Sequence, residues 1–268
     1  IFDRRYGSTN TFEKNNYPVG YNLGQSGNTP SQNLVDAYEM IDGTPFDWNN
    51  PEHKSNPYAN RDPRLAMSIL TNNVEFKDRT IEAWTGGRDG KGVIHATRTG
   101  YYIYKFIDPN LDLLQNRTSV HHWVIMRYAE ILLSYAEAMN EAYGPTGNVG
   151  YRLNAVRALN QVRNRVGVEM PAVPTAISKE ELREKIRNER RVELAFEDHR
   201  FWDVRRWMIA PETLGTPLRG VEITKISDEE FEYKPIEVEK RTFEPKMYLY
   251  PIPQADLNTT GWVQNPLW

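Results

Sequence analysis

The 268-residue chain contains no cysteine, which excludes disulfide bonds, thiolate zinc sites and cysteine nucleophiles. It has no run of about 18 apolar residues, so the sequence predicts no membrane-spanning helix. Neither sign of charge dominates, because 33 Lys and Arg residues stand against 36 Asp and Glu residues. This balance provides no global field that would favour nucleic acid or an anionic membrane as a partner.

The N-terminus also lacks two features of a complete chain. It reads Ile1-Phe2-Asp3-Arg4-Arg5, with neither an initiator methionine nor an apolar signal segment. Such a start is typical of the interior of a longer sequence. We therefore expect the chain to be a piece of a longer protein.

The first 120 residues show little sustained periodicity and are rich in Asn, Gly, Ser and Pro. We predict a short helix over 32–40, a strand over 64–72 that pairs with 74–77, and a strand over 99–107. The glycines of 85–92 indicate an exposed turn. The sequence therefore predicts a loop-rich part here.

Residues 121–210 are predicted to be helical. Apolar residues recur at three-to-four spacing over 123–143 and 151–166, and both segments are rich in alanine and end at a glycine. They should pack as an antiparallel pair, with the close approach found in tetratricopeptide-type repeats. A third helix is predicted over 178–208, opened by a capping box of Ser178 and Glu181.

The remaining residues, 211–268, are predicted to be an irregular tail with short strands at 221–226 and 248–252. The fold class is therefore mainly α, with a tetratricopeptide-like helical frame, long irregular loops and a few short strands. We expect the whole chain, 1–268, to form one domain from these three parts.

The third helix has Glu189, Glu193 and Glu197 at four-residue intervals among several arginines. Paired carboxylates could serve glycoside chemistry, but catalytic carboxylates usually come from separate elements that flank a cleft. Three glutamates on one face of a helix are better explained as structural residues whose charges are neutralised by neighbouring arginines, as Arg190 would neutralise Glu193. His199 and Asp203 have the spacing of metal ligands, yet no further ligand follows in order, so an orienting hydrogen bond is favoured.

Other catalytic motifs are absent or incomplete. The segment 86–92 contains Gly90-Lys91 but lacks the glycine and the Ser or Thr that a phosphate-binding loop needs. No Gly-x-Ser-x-Gly motif occurs, which leaves nucleophile-elbow chemistry without support. The rings of His121 and His122 should diverge, because the two residues are adjacent. We expect neither a metal, a cofactor nor a catalytic residue.

Aromatic residues within the predicted loops are the strongest candidates for ligand binding. Flat rings can stack on the C–H face of a sugar, while Asn, Asp and Arg hydrogen-bond its hydroxyl groups. We predict Tyr21, Trp48 and Trp84 as stacking platforms. The alternative is that such rings only attach long loops to the body. The aromatic residues in the predicted loops are Tyr6, Tyr17, Tyr21, Phe46, Trp48, Tyr58 and Trp84. The predicted ligand-binding site consists of Tyr17, Tyr21, Asn22, Phe46, Asp47, Trp48, Trp84 and Arg88.

Several motifs occur in a fixed order along the chain: LVDAYEM at 34–40, Asp42-Gly43, RDPRL at 61–65, RYAEILLSYAEA at 127–138, LNQVRNRVG at 159–167, IRNERRVELAFEDHRFWDVRRW at 186–207, YLYPIP at 248–253 and QNP at 264–266. Together they resemble the C-terminal part of SusD/RagB family proteins. The sequence departs from the family pattern at its end, where the usual Asn-Pro-Gly-Tyr reads Asn265-Pro266-Leu267-Trp268, without the turn glycine.

This resemblance implies a surface-exposed, lipid-anchored outer-membrane protein of Bacteroidetes-type bacteria that binds glycans. It also implies a SusC-like TonB-dependent transporter as partner, within a polysaccharide utilisation system, and a lipid anchor outside this chain. The leading hypothesis is non-catalytic glycan capture. A second hypothesis is a scaffold that docks the transporter while the sugar site lies elsewhere, and buried loop aromatics would favour it. The third is a glycoside hydrolase, which would need carboxylates from different elements in one cleft.

Overall fold

The computed structural model describes residues 1–268. In its first part, short elements are joined by long loops around a core that includes Tyr38, Ile81 and Tyr101. The elements are β1 (Phe2–Arg5), α1 (Thr11–Asn16), α2 (Gln32–Val35), α3 (Pro51–Ser55), α4 (Arg64–Ser68), β2 (Ile69–Leu70), β3 (Glu75–Phe76), β4 (Arg79–Thr80) and β5 (Tyr102–Ile103).

Two predictions for this part need correction. Helix α2 starts after the Ser31 cap but ends at Val35 instead of the predicted residue 40. The Arg61 guanidinium donates hydrogen bonds to the carbonyls of Val35 and Tyr38, which a longer helix would use for its own backbone hydrogen bonds. The predicted strand over 64–72 is instead α4 followed by β2.

The predicted strand pairing is also wrong. Strand β3 pairs with β4 through a tight turn, in which Lys77 has a positive φ of 57°. Strand β2 pairs with β5, which lies within the predicted strand 99–107. Short runs of apolar residues identify strands, but they do not identify the partner.

The second part contains the longest helices. Its elements are β6 (His122–Met126), α5 (Tyr128–Tyr143), α6 (Ala155–Arg163), α7 (Lys179–Glu193), α8 (His199–Arg206) and α9 (Ala210–Thr213). The predicted helix 123–143 therefore begins later, because residues 122–126 form a strand that pairs with β1. The predicted helix 151–166 is shorter at both ends. No helix is long and apolar enough to cross a bilayer.

The predicted third helix, 178–208, is broken between α7 and α8. Phe196 and Asp198 adopt positive φ angles there. Two cations donate hydrogen bonds to carbonyls at and just after the end of α7: Lys105 donates to the carbonyls of Glu193 and Ala195, and Arg127 also donates to that of Glu193. Cations at a helix C-terminus stabilise the helix end. The chain therefore turns after α7, where the sequence pattern predicted one continuous helix.

Helices α5, α6 and α7 enclose a second core. Small residues such as Ala136, Ala155 and Ala158 let α5 and α6 pack closely, and Leu182 and Ile186 of α7 cover them. The capping box predicted from Ser178 and Glu181 is present, with hydrogen bonds in both directions.

We expect Ser178→Ala to lower the free energy of unfolding by about 1 kcal/mol, because the Glu181 amide loses its acceptor. Urea unfolding followed by circular dichroism would measure it. Ser55→Ala is the control, since that hydroxyl only donates to a carbonyl of its own short helix. An equal loss in both variants would contradict a capping role.

The third part is more regular than predicted. Strands β7 (Leu218–Lys225) and β8 (Phe231–Glu239) form an antiparallel hairpin, followed by a 3-10 helix (Pro245–Tyr248) and α10 (Gln254–Thr260). No strand forms over 248–252, which was predicted as one. Val221, Ile223 and Tyr233 place the hairpin on the first core. It therefore belongs to the loop-rich part in space, although it lies far along the chain.

Candidate ligand-binding site

A cleft of about 950 Å³ opens between residues 51–74 and the tip of the β7–β8 hairpin. Tyr58, Leu65, Ile69, Phe231 and Tyr233 supply its apolar surface. Tyr58 and Phe231 are half-buried, while Tyr233 and the two aliphatic residues are buried. The cleft thus presents the partly exposed rings of Tyr58 and Phe231 to solvent, backed by buried apolar side chains.

The rings of this cleft are held in place by one another. The ring centroids of Tyr58 and Tyr233 lie 5.3 Å apart, edge to face, and those of Phe231 and Tyr233 lie 6.4 Å apart. The Asn72 amide donates to the Tyr233 hydroxyl at 3.4 Å, and its carbonyl accepts from the Ala83 amide. Fixed rings need little ordering when a ligand binds.

The rim of the cleft carries polar side chains that make no side-chain hydrogen bond within the chain. Amides, carboxylates and an ammonium group are all represented, so both donors and acceptors face the opening. An apolar floor with a free polar rim suits a ligand that has C–H faces and hydroxyl edges, as a sugar ring does. The free rim residues are Lys54, Asn56, Asn73, Glu229, Glu230 and Glu232.

Tyr21, predicted as a stacking platform, and Tyr17, predicted as a further site residue, are both buried. Tyr17 is 1% exposed, and its hydroxyl donates to the Asp108 carbonyl. Tyr21 is 8% exposed, and its hydroxyl donates to the Phe76 carbonyl. Burial raises the pKa of both hydroxyls well above the ordinary value. Both rings pack edge-on against Phe76 and attach their loop to the core.

Phe46, Asp47 and Trp48 lie together on a different loop, outside the cleft. Phe46 stacks on His53 and lies beneath the Arg61 guanidinium, 4.1 Å from its ring centroid. The Asp47 carboxylate accepts hydrogen bonds from Asn49.

Trp48 is half-buried, and its indole N–H donates to Asp36 at 3.0 Å. These contacts hold the loop together and leave only part of the Trp48 ring exposed. Trp48 stays a proposed contact.

Trp84 lies behind the cleft rather than in it. Its ring is half-buried and packs against Phe231, with 5.4 Å between centroids. Arg88, on the same glycine-rich loop, forms an exposed ion pair with Glu82 at 2.6 Å. Asn22 is exposed on the loop of Tyr21. The structure thus does not gather the predicted site residues into one pocket.

The residues that build the cleft were mostly missed because Phe231 and Tyr233 lie in the predicted irregular tail. Tyr58 was recognised as a loop aromatic but was not chosen. The alternation Phe231-Glu232-Tyr233-Lys234 is a strand signal that could have identified β8. Pro235 interrupts it, and the sequence cannot tell that the hairpin tip reaches residues 51–74.

The carboxylates of α7 are neutralised, as predicted, but by arginines from other elements. Glu193 accepts from Arg64 at 2.9 Å, Arg127 at 2.6 Å and Arg165 at 2.7 Å. Arg190, the predicted partner, instead binds Asp203. We call this set the buried ion network, and its members are Glu39, Lys105, Arg127, Asp62, Arg64, Arg163, Arg165, Lys185, Glu189, Glu193 and Glu197.

The histidines have carboxylate partners rather than metal-site geometry. His199 lies 3.7 Å from Glu130 and is not bonded to Asp203, so the predicted orienting bond is wrong. His121 and His122 diverge, as predicted, toward Glu13 and Asp3. No group of three or more His, Asp or Glu side chains is arranged to hold a metal ion.

Comparisons with known proteins agree with one another. The SusD family model matches residues 1–268. The curated SusD-like protein P2 of Formosa agariphila is 34% identical over 120 residues, which make up 43% of this chain and 22% of that protein.

Two solved structures from Bacteroides fragilis are also similar. A SusD-like protein superposes with a TM-score of 0.81 at 31% identity, covering 100% of this chain and 54% of that one. A SusD-like carbohydrate-binding protein gives 0.78 at 30% identity, covering 96% and 53%. This chain spans about half the length of these structures. Its fold is SusD-like.

Proposed function

Because the chain belongs to the SusD family, we propose that it binds an oligosaccharide or polysaccharide without cleaving it, in the cleft lined by the half-buried rings of Tyr58 and Phe231. The observation that carries this proposal is the combination of fixed rings and a free polar rim in one cleft of about 950 Å³. The similar Bacteroides fragilis protein that is described as carbohydrate-binding supports the choice of ligand.

We further propose that binding occurs at the cell surface, on a lipid-anchored outer-membrane protein of Bacteroidetes-type bacteria. The bound glycan would pass to a SusC-like TonB-dependent transporter, as part of polysaccharide utilisation and nutrient uptake. Family membership supports this setting, and the lipid anchor would lie outside these residues. Neither nucleic acid nor a cofactor is part of the proposal.

The test is glycan retention by affinity electrophoresis and calorimetry over a panel of polysaccharides. Phe231→Ala removes a half-buried ring from the cleft and should weaken binding by about tenfold, because stacking area is lost. Trp202→Ala is the matched control, since Trp202 is 62% exposed on α8 and lies outside the cleft. Unchanged retention in Phe231→Ala would refute the cleft as the site.

The half-exposed tryptophans are tested in the same experiment. We keep Trp48 and Trp84 as proposed contacts, with Asn22, Asp47 and Arg88 as polar partners. Replacing both tryptophans by Ala should reduce retention if their loops touch the glycan. A loss in this double variant with full binding by Phe231→Ala would move the site from the cleft to these loops.

A second candidate function is a scaffold that docks the transporter. The burial of Tyr17 and Tyr21 favours it, because these rings serve the fold rather than a ligand. Here the α5–α6 pair, which we propose to be a tetratricopeptide-type unit, would be the docking element. The full-length protein would then retain glycan even when Phe231→Ala is combined with the replacement of Trp48 and Trp84 by Ala.

Hydrolysis is the least supported function. The cleft does contain carboxylates from two parts of the chain, because Asp62 and the glutamates of the hairpin tip both line it. However, both Asp62 oxygens are bound by Arg64, at 2.6 Å for the shorter ion pair. The Asp62 oxygens are therefore held by the guanidinium rather than free to contact a substrate. Release of reducing sugar from the panel would overturn this view.

A further inference from the structure

A second cleft, of about 740 Å³, lies between α2, the α7–α8 junction and the segment before β7. It shares no residue with the candidate glycan cleft. Four arginines line it: Arg191, Arg200, Arg219 and Arg241. Nothing in the proposed glycan function uses them.

Two of these guanidinium groups lack the partners that other buried arginines have. Arg64, Arg163 and Arg190 each bind at least one buried carboxylate. Arg61 has no carboxylate partner but donates three hydrogen bonds to backbone carbonyls. Arg191 makes a single hydrogen bond, to the Asn33 carbonyl.

Arg200 has neither a hydrogen bond nor an ion pair within the chain, although it is only partly exposed. Burial, followed by the charge of Arg200, lowers the pKa of Arg191 to about 10. Burial also lowers the pKa of Arg200, against the attraction of Asp203. Both groups stay cationic at neutral pH, so two like charges line the same cleft, and neither side chain is fully exposed.

The nearby acids do not cancel these charges. Asp36 is bound by Arg219 at 2.8 Å and by the Trp48 indole. Asp203 is bound by Arg190 and Arg206. Asp198 and Glu212 also line the cleft but are exposed and bind neither arginine. An unpaired charge in such a place is costly unless a ligand compensates it.

We propose that Arg191 and Arg200 bind an oxyanion, namely a carboxylate or sulfate group, with Arg219 and Arg241 at the edge of the site. Guanidinium groups recognise such anions through paired, charge-assisted hydrogen bonds. The rings of Phe196 and Phe201 form an apolar wall of the cleft, against which the carbon skeleton of an acidic sugar would pack. The anion can belong to such a sugar or be free in solution.

The test measures thermal shifts and calorimetric binding with sulfate, glucuronate and glucose, at ionic strength matched with sodium chloride. Sulfate or glucuronate should raise Tm, and glucose should not. Arg200→Gln should weaken anion binding by about tenfold or more. Its own Tm should hold or rise, because the variant removes a partly buried cation that has no partner within the chain. Arg152→Gln removes an exposed, unpaired arginine elsewhere and should bind normally.

The outcomes separate the sources of the anion. A larger shift with glucuronate than with sulfate identifies an acidic saccharide as the ligand, and equal shifts identify the free oxyanion. No shift with either anion, or a full shift in Arg200→Gln, overturns the proposal. If Arg200→Gln does not fold, Arg200→Lys is used instead. Because lysine lacks the planar guanidinium group, unchanged anion binding by Arg200→Lys would also overturn the proposal. Glycan retention through the first cleft is measured separately and does not affect this result.

Discussion

Glu193→Gln should lower the free energy of unfolding by about 3–5 kcal/mol, the usual cost of removing one partner from a buried ion pair. Glu193 accepts from three arginines that come from α4, from the residue before α5 and from the residues after α6. An amide keeps one oxygen acceptor but no charge. Arg64, 5% exposed, would then lose part of its compensation.

Urea unfolding of the purified chain would measure this cost. The matched control is Glu184→Gln, on the same helix, whose carboxylate is 68% exposed and pairs with Arg187 at i+3. Such surface pairs contribute about 0.5 kcal/mol or less. If the two variants lost equal stability, the buried ion network would not be a main source of stability.

Acid should destabilise the protein as Glu193 becomes protonated. Burial opposes its ionisation, but Arg127, Arg165 and Arg64 outweigh burial and lower its pKa to about 2, from an ordinary 4.5. A carboxylate whose pKa is lower in the folded state than in the unfolded state adds to the free energy of unfolding. This contribution is fully present at pH values above the pKa of the unfolded state. That contribution is lost as pH falls from about 4.5 toward 2, and here amounts to about 3 kcal/mol.

Unfolding at a series of pH values between 7 and 2.5 would check this dependence. At low pH the wild-type Glu193 is neutral, as the glutamine is at any pH. The stability gap between wild type and Glu193→Gln should therefore narrow as the pH falls below 4.5. A constant gap over this range would mean that another group controls the acid response.

The helices were predictable where apolar spacing coincided with strong end signals. The capping box at Ser178 and the stop at Gly144 both occur where predicted. The break after α7 was not predictable, because it depends on Lys105 and Arg127, which reach the last carbonyls from distant parts of the chain. Residues 122–126 became a strand because β1 lies beside them.

The site was less predictable than the frame. Loop composition correctly suggested that aromatics matter, yet it could not separate Tyr17, which is buried, from Tyr58, which lines the cleft. Exposure depends on which segments pack over each ring. Phe231 lines the cleft because the β7–β8 hairpin packs beside Tyr58, although the two lie more than 150 residues apart in the sequence.

The buried ion network also decides how far this chain can be divided. Its carboxylates on α7 and in the turn after it pair with cations from both sides of residue 120, with Arg64 and Lys105 on one side and Arg127 and Arg163 on the other. A fragment that starts after residue 120 would leave Glu189, Glu193 and Glu197 buried with fewer counter-charges, because it would lack Arg64 and Lys105. The three parts recognised in the sequence are therefore not interchangeable modules. Recombination between relatives should succeed only when the breakpoints keep these charges in one parent.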